Sequence, residues 1–231
     1  NGWNVGETPE DVPRGLDWDL WLGPAPQVPF SKERFGGWMG WHDYARGGQL
    51  TNWGIHLLDI VHWGIQQDRP ISVQALGGSY RSGIGQDNYD CIEAVFEYPG
   101  CIVTWEQRLS DTRQNKGYGI AFYGEQGALY VDRGTIVVKP DSLDMEEYIG
   151  EPEKSWAHPP HHNNFFECIR TRRRPEADIE QGVRSTTAPL LAGIALKTRR
   201  KLYWNGDTER FINDPQADQH LRRAYRAPWH I

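Results

Sequence analysis

Between residues 71 and 139, apolar and polar residues alternate in short runs, so the hydrophobic pattern has a period of two. These runs are ISVQALGGSYR, YDCIEAVFEYPG, CIVTWEQRLS, GYGIAFYGEQGALYVD and GTIVVKP, joined by short turns that contain Gly or Pro. Such alternation is typical of strands with one packed face and one solvated face. The segments EYPGCIV, EQGALYV and DRGTIVV have the composition of tight hairpins. We therefore predict a mostly antiparallel sheet over about 71–139.

Helical periodicity lies on both sides of this region. Apolar residues recur at helical spacing from about 50 to 65, and two further helices are predicted in HHNNFFECIRTRR and DIEQGVRSTTAPLLAGIALKTRR. The first of these should stop before Pro175, and Pro189 should kink or divide the second. Because the helices follow the sheet rather than alternate with its strands, we predict an α+β fold, with an open sheet and helices packed on one face.

The remaining segments have no regular period. Residues 1–48 are predicted to be an irregular arm, rich in Pro and Gly, with one amphipathic turn at about 16–22. Residues 140–158 are acidic and are expected to be irregular and exposed, and the tail over 202–231 is expected to wrap the surface. The 231 residues suit one large domain or two small ones.

Composition argues against several classes of partner. A formal net charge of −6 disfavours binding to nucleic acid or to an anionic membrane. No apolar run reaches the length of a membrane span, and the polar, turn-rich start does not form a signal peptide. The 3 cysteines form no CxxC pair, so neither a disulfide framework nor a zinc site is predicted. The 11 tryptophans fit either an aromatic core or a surface for flat, hydroxylated ligands.

The segment GGQLTNWGIHLLDIVHW, at 47–63, is the main candidate for a functional site. On a helix, Asn52, His56 and Asp59 share one face because they are separated by four and three positions. The carboxylate can orient the imidazole, whose other nitrogen can then exchange a proton near neutral pH. The same spacing also fits a solvated helix face with a capping amide, or a core histidine satisfied by Asp59.

No other catalytic signature is found. His56 and His62 face different sides of the helix, and the histidines at 158, 161 and 162 lack a carboxylate at ligand spacing. A metal site is therefore not predicted. The Gly-rich SGIGQDN lies between two strands and does not open a helix, and neither a P-loop nor a nucleophile elbow occurs. We predict no nucleotide site within this chain.

Several segments resemble a known family. YARGGQLTNWGIHLLDIVHWG resembles the G-G-x-x-x-[D/N]-x-G-x-H-x-x-D motif of the glucose–fructose oxidoreductase/inositol dehydrogenase/MocA family. HHNNFFECIRTRRRPEADIEQGVRSTTAPLLAGIALKTRRKLYWN, GLDWDLWLGPAP and YRAPW are similar to segments of its bacterial sugar-oxidoreductase branch. The resemblance covers nearly the whole chain. It implies the C-terminal domain of such an enzyme, which binds the sugar through an α/β fold with an open, mostly antiparallel sheet and forms homo-oligomers through the sheet face.

In that family an N-terminal Rossmann domain holds NAD or NADP, and the resemblance implies that this domain is absent from residues 1–231. No cofactor is therefore expected to bind this chain alone. The motif histidine serves in proton transfer at the reacting carbon, and it corresponds to His56. The position four residues earlier is often an aspartate and here is Asn52, whose amide can hydrogen-bond a hydroxyl but cannot act as a base. Asp59 would orient His56.

The implied function is NAD(P)-dependent oxidation of a hydroxyl on a sugar, polyol or glycoside. We expect Trp41, Asp43, Tyr44 and Gln49 near the substrate, because their loop leads into the helix that carries His56. Two alternatives stay open: a relative that cleaves or epimerises glycosides through transient oxidation, and a non-catalytic carbohydrate-binding or assembly module. The sequence does not decide the compartment, which would be the bacterial cytoplasm, or outside it if a leader precedes Asn1.

Overall fold

The computed structural model describes residues 9–80, 88–108, 117–143, 148–149 and 159–229. The helices, in chain order, are α1 (Trp18–Leu22), α2 (Lys32–Gly36), α3 (Gln49–Ile65), α4 (Pro159–Thr171), α5 (Ile179–Thr198) and α6 (Pro215–Asp218), with 3₁₀ turns at Trp38–Gly40 and Asp141–Leu143. The strands are β1 (Ser72–Gly78), β2 (Cys91–Tyr98), β3 (Cys101–Arg108), β4 (Ile120–Tyr123), β5 (Ala128–Val131), β6 (Thr135–Lys139), β7 (Tyr148–Ile149), β8 (Leu202–Asn205) and β9 (Arg210–Phe211).

The chain divides into two compact units. The first comprises Asn1–His56, Gln67–Ser110 and Thr186–Ile231, and the second comprises Leu57–Gln66 and Asp111–Ser185. The first unit contains an antiparallel sheet with strand order β3-β2-β1-β8-β9, and the second contains an antiparallel sheet with order β4-β5-β6-β7. The α+β class is therefore confirmed, whereas the single sheet predicted over 71–139 is replaced by two.

The first sheet shows the alternation that the sequence predicts. On β2, Ile92, Ala94 and Phe96 are each no more than 1% exposed, whereas the intervening Glu93 and Val95 are exposed. A Cβ added at Gly77, on the buried face, would lie 3.2 Å from a methyl of Leu196, so α5 packs closely on this face. Burial of one face against a helix is what makes the period of two visible in the sequence.

The predicted hairpins are confirmed. In EYPGCIV, Tyr98 pairs with Cys101 across a turn in which Gly100 has a φ of 80°, a conformation that favours glycine. The other two hairpins join β4 to β5 and β5 to β6 in the second sheet. These connections are local, so the turn residues are sufficient to predict them.

The tail is the main correction to the predicted fold. Residues 202–231 were expected to wrap the surface, but β8 pairs with β1 and β9 extends the first sheet. Leu202, Trp204 and Phe211 are 1%, 7% and 4% exposed, so the tail contributes to the core. The segment LYWN does alternate, but four residues between polar neighbours are too short to predict a strand by periodicity.

Three smaller expectations also need correction. Of the two effects expected from Pro189, a kink or a division, division does not occur, since α5 runs without interruption from Ile179 to Thr198. Ala188 and Leu191, on either side of Pro189, are 0% and 1% exposed, so this part of the helix belongs to the core. The arm over 1–48 contains α1, α2 and a 3₁₀ turn. Of the acidic stretch over 140–158, the described part contains a 3₁₀ turn and β7, and residues 144–147 and 150–158 lie outside the described residues. Across the described residues, no helix combines the length and apolar character that crossing a membrane requires.

Candidate functional site

Helix α3 begins at a pair of glycines with left-handed backbone conformations. Gly47 and Gly48 have φ values of 95° and 52°, which residues with a Cβ rarely adopt. The carbonyl of Gly48 accepts hydrogen bonds from the backbone of Asn52 and the hydroxyl of Thr51, both at 3.0 Å. A Cβ at Gly48 would also approach the carbonyl oxygen of Met39 to 3.2 Å. The two glycines therefore form the tight entry to the helix.

The polar stripe predicted on α3 is present and exposed. Asn52 and His56 are exposed, whereas Leu50 and Leu58 on the opposite side are 0% and 2% exposed. The imidazole of His56 stands edge-on to Trp53, with 6.4 Å between ring centroids. Because the imidazole is exposed, the alternative of a core histidine is wrong. The helix therefore presents the imidazole of His56 at its surface.

The carboxylate of Asp59 has a partner on another helix. The hydroxyl of Ser185, in α5, donates to Asp59 Oδ1 at 2.5 Å, a distance typical of a hydroxyl bonded to a carboxylate. Asp59 is half-buried and Ser185 is 4% exposed, so this bond is largely shielded from water. The bond restrains the Asp59 side chain. That Asp59 orients His56 remains a prediction.

Trp41, expected near the substrate, is instead part of the core. Its side chain is 2% exposed, and its ring lies 5.0 Å from the guanidinium of the buried Arg34. The same guanidinium lies 5.6 Å from the ring of Tyr44 and 3.6 Å from the carboxylate of Asp43. A ring with 2% exposure has no surface to offer a ligand, so the prediction that Trp41 contacts the substrate is not supported.

The other loop candidates differ in what surrounds them. Asp43 and Tyr44 are half-buried, and the ring of Tyr44 packs edge-on against Trp21 at 5.1 Å. Gln49 is also half-buried, and its Oε1 accepts a hydrogen bond of 3.1 Å from Asn52 Nδ2. The structure therefore joins Gln49 and Asn52 on the first turn of α3. It places Asp43 and Tyr44 around Arg34.

Asn88 holds the loop before α3, a role that the motifs in the sequence do not predict. Its Nδ2 donates to the carbonyls of Met39 and Ala45 at 2.7 and 2.8 Å, and its backbone N donates to Gly40 at 2.9 Å. One side chain therefore fixes both ends of the loop that leads to Gly48. Asn88 ends the segment SGIGQDN, whose other residues lie outside the described part of the chain. The available sequence signal is the residue type, since Asn side chains commonly hydrogen-bond to backbone.

The C-terminal tail also bonds to this loop. Arg46 donates to the carbonyls of His220 and Arg222 at 2.9 and 3.2 Å. In the opposite direction, Arg223 donates to the carbonyl of His42 at 3.1 Å and to that of Asp43. The sequence signal for these contacts is the cluster of arginines in HLRRAYRAPW, within the tail that was expected to wrap the surface.

The described residues do not fit a metal ion or a dinucleotide. No group of three or more His, Cys, Asp and Glu side chains in the described ranges is arranged to hold a metal. Both sheets are antiparallel, and within the described residues no Gly-rich turn leads from a strand into a helix. The turn that cradles a dinucleotide pyrophosphate is of that kind.

The fold matches solved oxidoreductase structures. An aldose-aldose oxidoreductase from Caulobacter crescentus, complexed with glycerol, is 19% identical with a TM-score of 0.57, over 72% of this chain and 50% of that one. The WlbA dehydrogenase from Bordetella pertussis, in complex with NADH and UDP-GlcNAcA, is 19% identical with a TM-score of 0.52, over 73% and 48%. A putative NADPH-dependent oxidoreductase from Desulfitobacterium hafniense is 18% identical with a TM-score of 0.56, over 72% and 51%.

At these identities the likeness establishes the fold, and the chain spans about half the length of these relatives. No curated protein matches the sequence. Residues 3–231 match the family described as the oxidoreductase family, C-terminal alpha/beta domain. The match extends over nearly the entire chain, and the fold it implies is the one observed. The chain therefore belongs to the glucose–fructose oxidoreductase/inositol dehydrogenase/MocA family, of which it represents the C-terminal α/β domain.

Proposed function

We propose that this chain is the substrate-binding and proton-transfer domain of an NAD(P)-dependent oxidoreductase that acts on a hydroxyl of a sugar, polyol or glycoside. The observation that carries the proposal is the exposed face of α3, where the imidazole of His56 follows the amide of Asn52 by one turn. Membership of an oxidoreductase family supports the reaction class. The glycerol and UDP-GlcNAcA complexes of two structural relatives support a hydroxylated substrate.

Oxidation of an alcohol to a carbonyl removes the hydroxyl proton together with a hydride from the carbon. In the proposed mechanism His56 accepts the proton, because an imidazole nitrogen can act as a general base and this ring is exposed at the helix surface. The side-chain amide of Asn52 donates one hydrogen to Gln49 Oε1. Its own oxygen, Asn52 Oδ1, can then accept a hydrogen bond from a substrate hydroxyl. Asn52 therefore positions the substrate and His56 moves the proton.

The hydride acceptor in this proposal is NAD or NADP, held by residues outside those that the structure describes. The described residues offer no dinucleotide cradle, so no step at the cofactor is assigned to them. What these residues contribute is the position of the substrate hydroxyl and the acceptor for its proton.

An assay of the polypeptide encoded by the complete gene tests the proposal. With NAD⁺ or NADP⁺ and a panel of aldoses, polyols and glycosides, we expect reduced nicotinamide to accumulate in proportion to carbonyl product. Glycoside cleavage or epimerisation without accumulated reduced cofactor would favour the transient-oxidation alternative. Sugar binding without turnover of any panel member would favour the non-catalytic module and contradict the proposal.

We also propose that the outer face of the first sheet mediates homo-oligomers. Leu76, Val95 and Ile102 are 67%, 44% and 70% exposed on the outer positions of β1, β2 and β3. Exposed apolar residues that share one sheet face support an interface there, since their burial is favourable.

Changing Leu76 and Ile102 together to lysine is expected to shift the protein to monomers, because two charges would be buried at the interface. Sedimentation velocity measures this shift. The control is Leu20→Lys on α1, which is 63% exposed and lies outside the sheet. An unchanged oligomer in the double variant, or a monomeric parent protein, would contradict the proposed interface.

A further inference from the structure

Two arginines cross between the loop before α3 and the C-terminal tail. Arg46, in the loop, reaches the carbonyls of His220 and Arg222, and Arg223, in the tail, reaches the carbonyls of His42 and Asp43. Because each guanidinium binds the segment from which the other arises, the two positive groups are held close together. We call Arg46 and Arg223 the arginine pair.

The charge of the arginine pair is not neutralised by the described residues. Every hydrogen bond that the structure gives these two guanidiniums goes to a backbone carbonyl, and no carboxylate in the described ranges forms an ion pair with either. By contrast, Arg226 in the same tail pairs with Asp19 at 2.7 Å. An unneutralised pair of like charges is unexpected in a chain whose net charge is −6.

Positive charges contribute, after burial, to the pKa shifts of Arg46 and of the nearby His220. Burial and the charge of Arg223 lower the pKa of Arg46. Burial, followed by the charges of Lys197 and Arg46, lowers the pKa of His220. His220 is half-buried, and its carbonyl accepts one of the Arg46 hydrogen bonds. Burial is the larger cause of both shifts. The neighbouring positive charges add a smaller repulsion, which a bound anion would relieve.

We propose that Arg46 and Arg223 bind a phosphate group, carried by a ligand as a phosphate monoester. A guanidinium has five N–H donors, and Arg46 uses one at Nη1 and one at Nη2 for the tail carbonyls. The remaining donors of both side chains are available to tetrahedral phosphate oxygens, for which the planar fork of arginine is well suited. Two adjacent positive charges match a phosphate dianion better than a carboxylate.

The site lies at the entrance to α3. Arg46 immediately precedes the two glycines that open this helix, so a ligand held at the arginine pair would be anchored by the segment leading into it. The inference goes beyond the proposed oxidoreductase function and does not depend on it, because its test requires no turnover. A failed activity assay would leave the phosphate site intact, and absence of phosphate binding would leave the proton-transfer role of His56 intact.

Titration of His220 tests the site directly. The histidine ring resonances of this chain are followed by NMR as a function of pH, with and without inorganic phosphate, at constant ionic strength. The signal that is missing in His220→Gln is assigned to His220. We expect phosphate to raise the pKa of His220 by about 0.5 unit or more, since a nearby anion favours the imidazolium. In Arg46→Met without phosphate, the pKa of His220 should be higher than in the parent chain, because the charge of Arg46 contributes to lowering it. Addition of phosphate should no longer change this pKa.

Arg222→Met is the matched control. It removes the same charge from an exposed side chain of the same tail and keeps the carbonyl that Arg46 uses. Equal losses of the phosphate response in Arg222→Met and Arg46→Met would show diffuse attraction of counter-ions and would overturn the proposal. A larger response to acetate than to phosphate would overturn the phosphate assignment. If Arg46→Met does not fold, the titration of the parent chain and of Arg46→Lys decides, and no phosphate response in the parent chain overturns the site.

Discussion

Replacing His56 with alanine in the polypeptide encoded by the complete gene is expected to lower kcat by about 10²–10⁴-fold, the usual contribution of a general acid–base group. The imidazole is exposed on α3, so its removal creates no cavity in the core. The loss should therefore appear in turnover while the free energy of unfolding changes little. Steady-state kinetics and urea unfolding of the same preparation measure the two quantities.

His56→Gln separates proton transfer from hydrogen bonding. Glutamine can hydrogen-bond a hydroxyl but cannot take its proton, so kcat should fall in His56→Gln by as much as in His56→Ala. The matched control is His161→Ala, which removes another exposed histidine, on α4, and should leave kcat unchanged. Turnover at the parental rate in His56→Ala would eliminate the proposed role of this residue.

Asn88→Ala is expected to reduce the free energy of unfolding by about 2–4 kcal/mol, because the carbonyls of Met39 and Ala45 each lose a donor while remaining partly buried. The loop between these carbonyls leads directly to Gly48, so its loosening should also reach the first turn of α3. Urea unfolding measures the global effect. The local effect is measured by hydrogen exchange at the backbone amide of Asn52, which donates to the carbonyl of Gly48.

Ser79→Ala provides the control for Asn88. The hydroxyl of Ser79 donates to the carbonyl of Asn88 at 3.3 Å in an exposed position, so its loss should cost less than about 1 kcal/mol. An Asn88→Ala protein as stable as Ser79→Ala, with unchanged exchange at Asn52, would show that the two side-chain bonds do not hold the loop.

The His56 and Asn88 variants test different properties of the candidate site. The His56 variants test chemistry on a helix face that periodicity alone predicts. The Asn88 variant tests the support of that helix, which depends on contacts between residues 40 or more positions apart, such as Asn88 with Ala45 at 43. The position of a functional side chain depends on the contacts that hold the segment carrying it.

Local patterns predicted much of the fold. The period of two over 71–139 predicts the strands β1 to β6, and the turn residues predict the hairpins, because these features depend on neighbours in the sequence. Spacing on α3 likewise predicts that Asn52 and His56 share an exposed face. Family membership followed from the motif around His56 and is confirmed over 3–231.

Long-range pairing was not predictable in this way. Strand β8 joins the first sheet through Tyr203, which pairs with Ser72, and nothing in the four residues of β8 identifies that partner. Trp41 was expected at a binding surface, yet Arg34 and the surrounding core enclose its ring. Burial of a given aromatic residue is decided by all of its neighbours together.

The sequence by itself therefore determined the α+β class, the helix that presents His56 and the family, since hydrophobic periodicity and a contiguous motif are properties of short segments. Only the tertiary structure decided that Trp41 is buried, that Asn88 holds the loop before α3, and that Arg46 and Arg223 meet across the chain. These depend on residues up to 181 positions apart, as in the bond from Arg223 to His42, and are fixed by chain packing rather than by local preference.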